Sequence, residues 1–445
     1  MRHAILTLAC VTILAPLPSF GQSMEKKWTL QECIDHAMAN NITLKKNQMQ
    51  KLSVKEDVEL SKAQLLPSLN ASTSQNIIYR PFIASGQSTV ANGYVQSSID
   101  KVYYSGSYSV SANWTVWNGN RNTNQVKLNA LAENEAELDS ITSARSIEER
   151  IAQLFVQILY SKEAVKVNQA TLEAAKVNEQ RGLEMVKVGT MSKADCSQLT
   201  AQRAQDEYSV VQSESNVRDF KRQLKALLQL TDDEEFDVVS STPTDAMALQ
   251  PIPSLSSVYE AALENRPEIK RAMLDVESAD IQMKLAKGQR MPSISLNAAV
   301  STNNSSMSDN NWGDQIKTNF NAGGGVTISV PIFDQRSSRT AINKANIQKQ
   351  TALLNIKDKQ TTLYSTIENY WIQANNNQNQ YKSAKVSTES AQTSYDLLSE
   401  QFAVGLKNIV ELQTGKTRLL SAQQSELQSK YLTILNRQLL EFYKR

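Results

Sequence analysis

Residues 102–117, VYYSGSYSVSANWTVW, alternate: Val102, Tyr104, Gly106, Tyr108, Val110, Ala112, Trp114 and Val116 share one parity, and Ser, Asn and Thr dominate the other. A period of two is the mark of a strand with two unlike faces. Three further stretches repeat it. In 320–333, Ala322, Val326, Ile328, Val330 and Ile332 oppose Asn321, Thr327 and Ser329; in 292–302, Ile294, Leu296, Ala298 and Val300 alternate with Ser293, Ser295, Asn297 and Ser301. In 68–80 the pattern is weaker, Leu69, Ala71, Ile77 and Tyr79 against Ser68, Asn70, Ser72, Ser74 and Asn76. Elsewhere the spacing changes to three and four, as in Ile147, Ile151, Leu154 and Ile158, and neither 121–181 nor 337–404 contains Gly or Pro. These runs predict helices of about 100 Å at 1.5 Å per residue. Helices so long pack along one another as coiled coils.

The plan is written twice. Residues 28–72 return as 255–299, and 186–205 return as 402–421, so the chain reads as two tandem copies, about 28–235 and 253–445. In each, a helical segment ends at Pro67 or Pro292, two strands follow, and a long helix leads through a glycine turn into a returning helix. Gly189 and Gly405 suit the left-handed residue that ends a helix. Ser192 and Asn408, three residues on, can cap the next helix, with Asp195 and Glu411 placed to complete a capping box.

The polar parity of the strands has a chemical peculiarity. A soluble sheet turns Lys, Glu and Arg to water, whereas here the residues are hydroxyls and amides, as in a membrane barrel with lipid outside and an aqueous lumen inside. Tyr104 and Trp114 are ten residues apart, about 34 Å of strand and about 25 Å of membrane height at a tilt near 40°. Tyr104, Tyr108, Trp114 and Trp117 are therefore expected at the membrane girdles. The competing reading of any one strand is the face of a soluble sandwich or hairpin. Four strands cannot close a barrel, and open edges cannot stand in lipid, so a barrel needs strands from several copies.

Composition narrows the classes. Only 14 Gly and 10 Pro in 445 residues agree with long helices, and 47 Lys and Arg against 45 Asp and Glu leave no nucleic-acid footprint. The start, MRHAILTLACVTILAPLPSFGQS, has a basic residue, an apolar run and small residues at Ser19 and Gly21, which predicts a signal peptide over 1–21 and an exported chain. No later stretch approaches the roughly 18 apolar residues of a membrane helix. Beyond it stand two cysteines, Cys33 and Cys196, and one histidine, His36, too few for a His/Cys metal site. The cysteines can form one disulfide, or can pack as small apolar residues like their repeat partners Val258 and Leu412. Thr414-Gly415-Lys416-Thr417 fails as a phosphate loop because Val410 stands where Gly is required and no strand precedes it. With no nucleophile, paired-acid or metal constellation, neither catalysis nor a cofactor is expected.

The ordered set LPSL and MPSI, VPIFDQR, ENRPEI, and the VGT and VGL turns, twice over, resembles the TolC-like outer membrane efflux protein family. WNGNR in the first copy departs from the PIF form of the second. The resemblance implies a mainly α fold with a membrane β part: a coiled-coil helical tunnel, and four strands per protomer contributed to a trimeric twelve-stranded barrel. It implies a homotrimer in the outer membrane of a Gram-negative bacterium, extending into the periplasm. The implied partners are outer-membrane lipid, a periplasmic adaptor and an inner-membrane pump. The implied function is the passive exit duct of a tripartite efflux system exporting small molecules. A type I protein secretion duct shares this architecture, and a non-channel periplasmic coiled coil is the reading from a different class. Carried over by position, Gly189, Thr190, Gly405 and Leu406 fall where the adaptor docks, Asp195 and Glu411 where carboxylates ring the periplasmic mouth, and Lys407 at a basic gating position. Helix capping remains the other account of both acids.

Overall fold

The computed structural model describes residues 26–82, 86–90, 93–97, 101–231, 236–239 and 245–445, so the predicted signal peptide lies outside the described residues. The chain runs β1 (Lys26–Trp28), α1 (Leu30–Asn40), α2 (Ile42–Ala63), β2 (Ser68–Tyr79), β3 (Gly86–Val90), β4 (Gly93–Ser97), β5 (Val102–Trp117), α3 (Arg121–Lys187) and α4 (Lys193–Leu228). It continues with β6 (Phe236–Val238), α5 (Asp245–Ala248), α6 (Leu255–Asn265), α7 (Pro267–Gly288), β7 (Ser293–Ser305), α8 (Trp312–Thr318), β8 (Asn321–Ser329), α9 (Ser337–Ala403) and α10 (Ile409–Lys444). Helices of 11, 22, 67 and 36 residues occur in that order twice, as α1 to α4 and as α6, α7, α9 and α10.

The predicted strands form one four-stranded antiparallel sheet in the order β2-β5-β7-β8. Two limits differ from expectation. β7 runs on to Ser305, past residue 302, while β8 stops at Ser329 instead of reaching 333. Pro331 has no N–H to donate, so the ladder cannot continue through it. Two elements lie in the strand connections: β3 and β4 pair with each other between β2 and β5 in the chain, and α8 precedes β8. The short parallel pair β1 and β6 carried no sequence signal.

Two compact units are present, and each draws on both copies of the repeat. One comprises 1–41, 150–250 and 378–435; the other comprises 42–149, 251–377 and 436–445. In the first, Leu199 of α4 packs in one cluster with Tyr395 and Phe402 of α9 and Ile409, Leu412 and Leu419 of α10. The cluster thus joins both helical hairpins. The same unit holds a buried ion pair between Lys416 of α10 and Asp206 of α4, whose other carboxylate oxygen accepts from Gln202 Nε2 at 2.9 Å. The short α5 is tied down by Asp245, which accepts from Lys385 at 2.7 Å and Lys430 at 2.8 Å. Cys33 and Cys196 are both buried free thiols, and burial with the nearby Glu32 pushes the Cys33 thiol up to about 12.

The second unit carries the sheet and a core of Val258, Ala262, Ile367, Ala374, Leu440, Phe442 and Tyr443. Arg266, 5% exposed, stacks its guanidinium 4.3 Å from the Tyr443 ring and pairs with Glu268 at 2.8 Å. All four strand-to-helix junctions lie at one end of this sheet, because Ser68 pairs near Asn113, Trp117 with Ile294 and Ser293 with Ser329. Entry into the two 67-residue helices is built alike. Asn118 Oδ1 accepts from the Asn122 N–H at 3.2 Å, and Asp334 Oδ2 accepts from the Ser338 N–H at 2.8 Å. Each is followed by two left-handed residues, Gly119 (φ 70°) and Asn120 (φ 63°) in one copy, Gln335 (φ 53°) and Arg336 (φ 69°) in the other. Gly and Asn adopt that conformation readily, whereas for Gln and Arg it costs about 1–2 kcal/mol per residue.

Candidate functional site

Register sorts the sheet into two continuous faces. On one, Ser72 lies opposite Ser109, Asn113 opposite Asn297 and Ser301 opposite Asn321; Ser72 and Ser109 share a hydrogen bond at 2.8 Å. No Asp, Glu, Lys or Arg lies within any of the four strands. On the other face, Ala71, Val110, Val300 and Ala322 form one row, and Trp114, Leu296 and Val326 another. The apolar row is exposed: Leu69 is 74% accessible, Val326 63% and Ile328 64%. An apolar face left uncovered over four strands has no place in water.

The four predicted girdle aromatics lie on this apolar face. Trp117 needs a device to reach it, since strict alternation puts residue 117 on the polar side. A bulge between Thr115 and Trp117 restores it opposite Ile294. Trp114 Nε1 donates to the Leu65 carbonyl at 2.8 Å and Trp117 Nε1 to Asn120 Oδ1 at 3.1 Å, so each indole keeps a polar tip at the helical end of the sheet. At the opposite end Tyr104 donates to Gln75, and Tyr108 stands edge-on to Trp312 of α8 at 6.4 Å. Two aromatic levels thus bracket the apolar rows, as amphipathic rings do at membrane interfaces. Trp312 of α8 was not among the expected girdle residues.

The hairpin tips are a pair. Gly189 (φ 79°) donates to Val186 O at 3.1 Å and the Thr190 N–H to Met185 O at 2.9 Å; Gly405 (φ 74°) donates to Phe402 O at 3.0 Å and the Leu406 N–H to Gln401 O at 2.9 Å. Both are Schellman caps. A Cβ on either glycine would meet nothing within 4 Å, so the backbone angle alone demands glycine. Leu406 is 75% exposed, an apolar side chain held out at the tip.

After the turns, Ser192 Oγ accepts from the Asp195 N–H at 3.0 Å and donates to Asp195 Oδ2 at 2.7 Å. The Asp195 carboxylate therefore engages the cap hydroxyl. Asn408 and Glu411 form the reciprocal box, with Glu411 N–H to Asn408 Oδ1 at 2.9 Å and Asn408 N–H to Glu411 Oε2 at 3.2 Å. Lys407 turns back onto Glu411 Oε1 at 2.6 Å. That ammonium and the Asn408 N–H hold the Glu411 carboxyl below its ordinary range. Within one chain, Lys407 and Glu411 are thus partners, and Asp195 belongs to the other tip.

Among the described residues, no cluster of His, Cys, Asp or Glu is arranged to hold a metal, and no helix is long and apolar enough to cross a membrane.

Known proteins share this design. Residues 258–442 match the family model described as outer membrane efflux protein. The probable outer membrane lipoprotein SilC of Salmonella typhimurium is 23% identical over 189 residues, 41% of this chain and 38% of that protein. Nodulation protein T of Rhizobium leguminosarum bv. trifolii is 22% identical over 165 residues, 37% of this chain and 34% of its own. These alignments thus span little more than a third of either relative. The fold match is far broader: CusC superposes with a TM-score of 0.79 over 99% of both chains at 16% identity. The outer membrane protein VceC of Vibrio cholerae gives 0.76 at 16% identity, over 93% of this chain and 96% of that one.

Proposed function

We infer, from the premise that this chain is an outer membrane efflux protein, that it is one protomer of a homotrimeric passive duct exporting small molecules through the outer membrane. One observation carries the reading: a sheet with an apolar face and an uncharged hydroxyl and amide face, ending in two unpaired edges, β2 and β8. In lipid every strand edge must be paired, so β2 of one copy meets β8 of the next and the hydroxyl face encloses water. Three copies supply twelve strands, above the roughly eight of the smallest barrels.

The tips serve the duct as its adaptor-facing element. Gly189, Thr190, Gly405 and Leu406 present the surface for a periplasmic adaptor, through which an inner-membrane pump supplies the energy. Asp195 and Glu411 are rings of carboxylates in a threefold assembly and favour cations at the mouth. Lys407 sets how much of that charge is neutralised, through the pair it makes with Glu411. Membrane fractionation with bilayer recording tests the reading. Urea-resistant pelleting with outer membranes and single-channel steps support it; release with soluble periplasm and a monomeric mass sink it in favour of a coiled-coil structural protein.

A further inference from the structure

The end of the sheet that meets the helices is strongly basic. In the ten residues flanking each strand there (58–67, 118–127, 283–292 and 330–339) stand eight Lys or Arg and two acids, Glu59 and Asp334. All eight cations are exposed, and among the described residues only Lys62 has an ion-pair partner, Glu59. The collar is contiguous across the two copies. The Arg121 stem lies against Gly288, beside Lys287, and Arg290 is close enough to Asp334 to lower its carboxyl together with the Ser338 hydroxyl and N–H, which act first. Apolar side chains protrude at the same level: Ile332 is 96% exposed, Phe333 85% and Leu66 66%.

Gln335 and Arg336 add an argument from the repeat. The equivalent turn before α3 is made by Gly119 and Asn120, so the geometry does not require a long side chain. The second copy keeps an arginine at a left-handed position where asparagine serves in the first. The backbone cost points to a use for the guanidinium itself.

We propose that this collar is a binding surface for anionic phospholipid headgroups of the leaflet on the helical side of the sheet, Ile332 and Phe333 entering the acyl region while Arg290, Arg336 and Arg339 meet phosphates. The proposal rests on the duct reading, since it needs the apolar face in a membrane. Charge complementarity chooses the occupant: eight cations against two acids, beside exposed apolar groups, match an anionic amphiphile, with stems lying along hydrocarbon and heads at the phosphate level.

The test uses the full chain in nanodiscs of phosphatidylethanolamine mixed with phosphatidylglycerol, with retained lipid counted by native mass spectrometry. Wild type is expected to enrich phosphatidylglycerol, and Arg290→Gln, Arg336→Gly and Arg339→Gln to reduce that enrichment by about fivefold per charge removed. Arg290→Lys with Arg339→Lys should retain it. Arg336→Gly alone, relieved of its backbone angle, should melt higher in detergent while still losing enrichment, an outcome that a purely structural role would not give. No enrichment in wild type, or full enrichment in the triple variant, overturns the proposal. Excess soluble glycerol 3-phosphate should leave enrichment intact; if it abolishes enrichment, the collar is a phosphate site and the membrane assignment fails. Failure to enter nanodiscs of either composition refutes the duct reading, whereas entry without lipid preference refutes the collar alone.

Discussion

At the residue scale, the hairpin tips separate a conformational requirement from a chemical one. Gly189 and Gly405 have open space around the position of a Cβ, so alanine there meets no clash and its cost is that of a left-handed backbone, about 1–2 kcal/mol. Gly405→Ala is therefore expected to lower the chemical-denaturation midpoint modestly while leaving conductance intact; a large conductance change would mean the tip shapes the pore directly. The carboxylates make the opposite case. Glu411→Gln keeps the Asn408 N–H acceptor of the cap but releases Lys407 and removes a charge. Combined with Asp195→Asn, it should weaken block by multivalent cations in planar bilayers by several-fold with little change in trimer stability. Unchanged block with a less stable trimer would assign both acids to capping alone.

At the element scale, the decisive contact joins the two hairpins. Asp206 and Lys416 are 7% and 10% exposed at the side chain, and the Gln202 amide also serves the carboxylate. Removing one partner strands a buried charge, so Asp206→Ala or Lys416→Ala is expected to cost about 3–5 kcal/mol, while Asp206→Leu with Lys416→Met should recover much of it. Urea unfolding of the three variants checks this; equal losses in singles and double would show that the pair contributes beyond mutual neutralisation. The Asp245 clasp gives a pH signature. Lys385, then Lys430, hold its carboxyl well below the usual carboxylate range. Its contribution is complete above the unfolded value, about pH 3.9, and is lost as pH falls through the lower folded value. Asp245→Asn should flatten the loss of stability below about pH 4 seen by denaturation. These pairs were not legible in the sequence, since Asp206 and Lys416 stand 210 residues apart and no local pattern links them. What was legible was periodic: 67-residue helices with a single Gly, Gly182, and no Pro between them, and strands whose two parities differ in chemistry. Where period gave way to geometry, reading failed. The bulge that returns Trp117 to the apolar face, the three-residue β1 and β6, and α8 between β7 and β8 each depend on tertiary contacts that a short window cannot show.

At the scale of the whole molecule, the argument turns on what satisfies the edges of the sheet. β2 is 12 residues long and β8 is 9, and both present unpaired backbone groups between exposed apolar side chains such as Leu69 and Val326. A single chain in lipid would leave these groups unbonded at several kcal/mol each, so insertion and assembly are coupled. Cross-linking can read this coupling, because Cys33 and Cys196 are buried and burial holds the Cys33 thiol protonated. Cysteines introduced along the hydroxyl faces, Ser72→Cys on β2 paired with Thr327→Cys or Ser329→Cys on β8, are separated by β5 and β7 within one chain. Oxidation should therefore yield covalent dimers and trimers, with three times the chain mass as the upper limit, and only in membrane fractions. Cross-links confined within single chains would show that the sheet closes on itself, and the requirement for sister copies would fall with it.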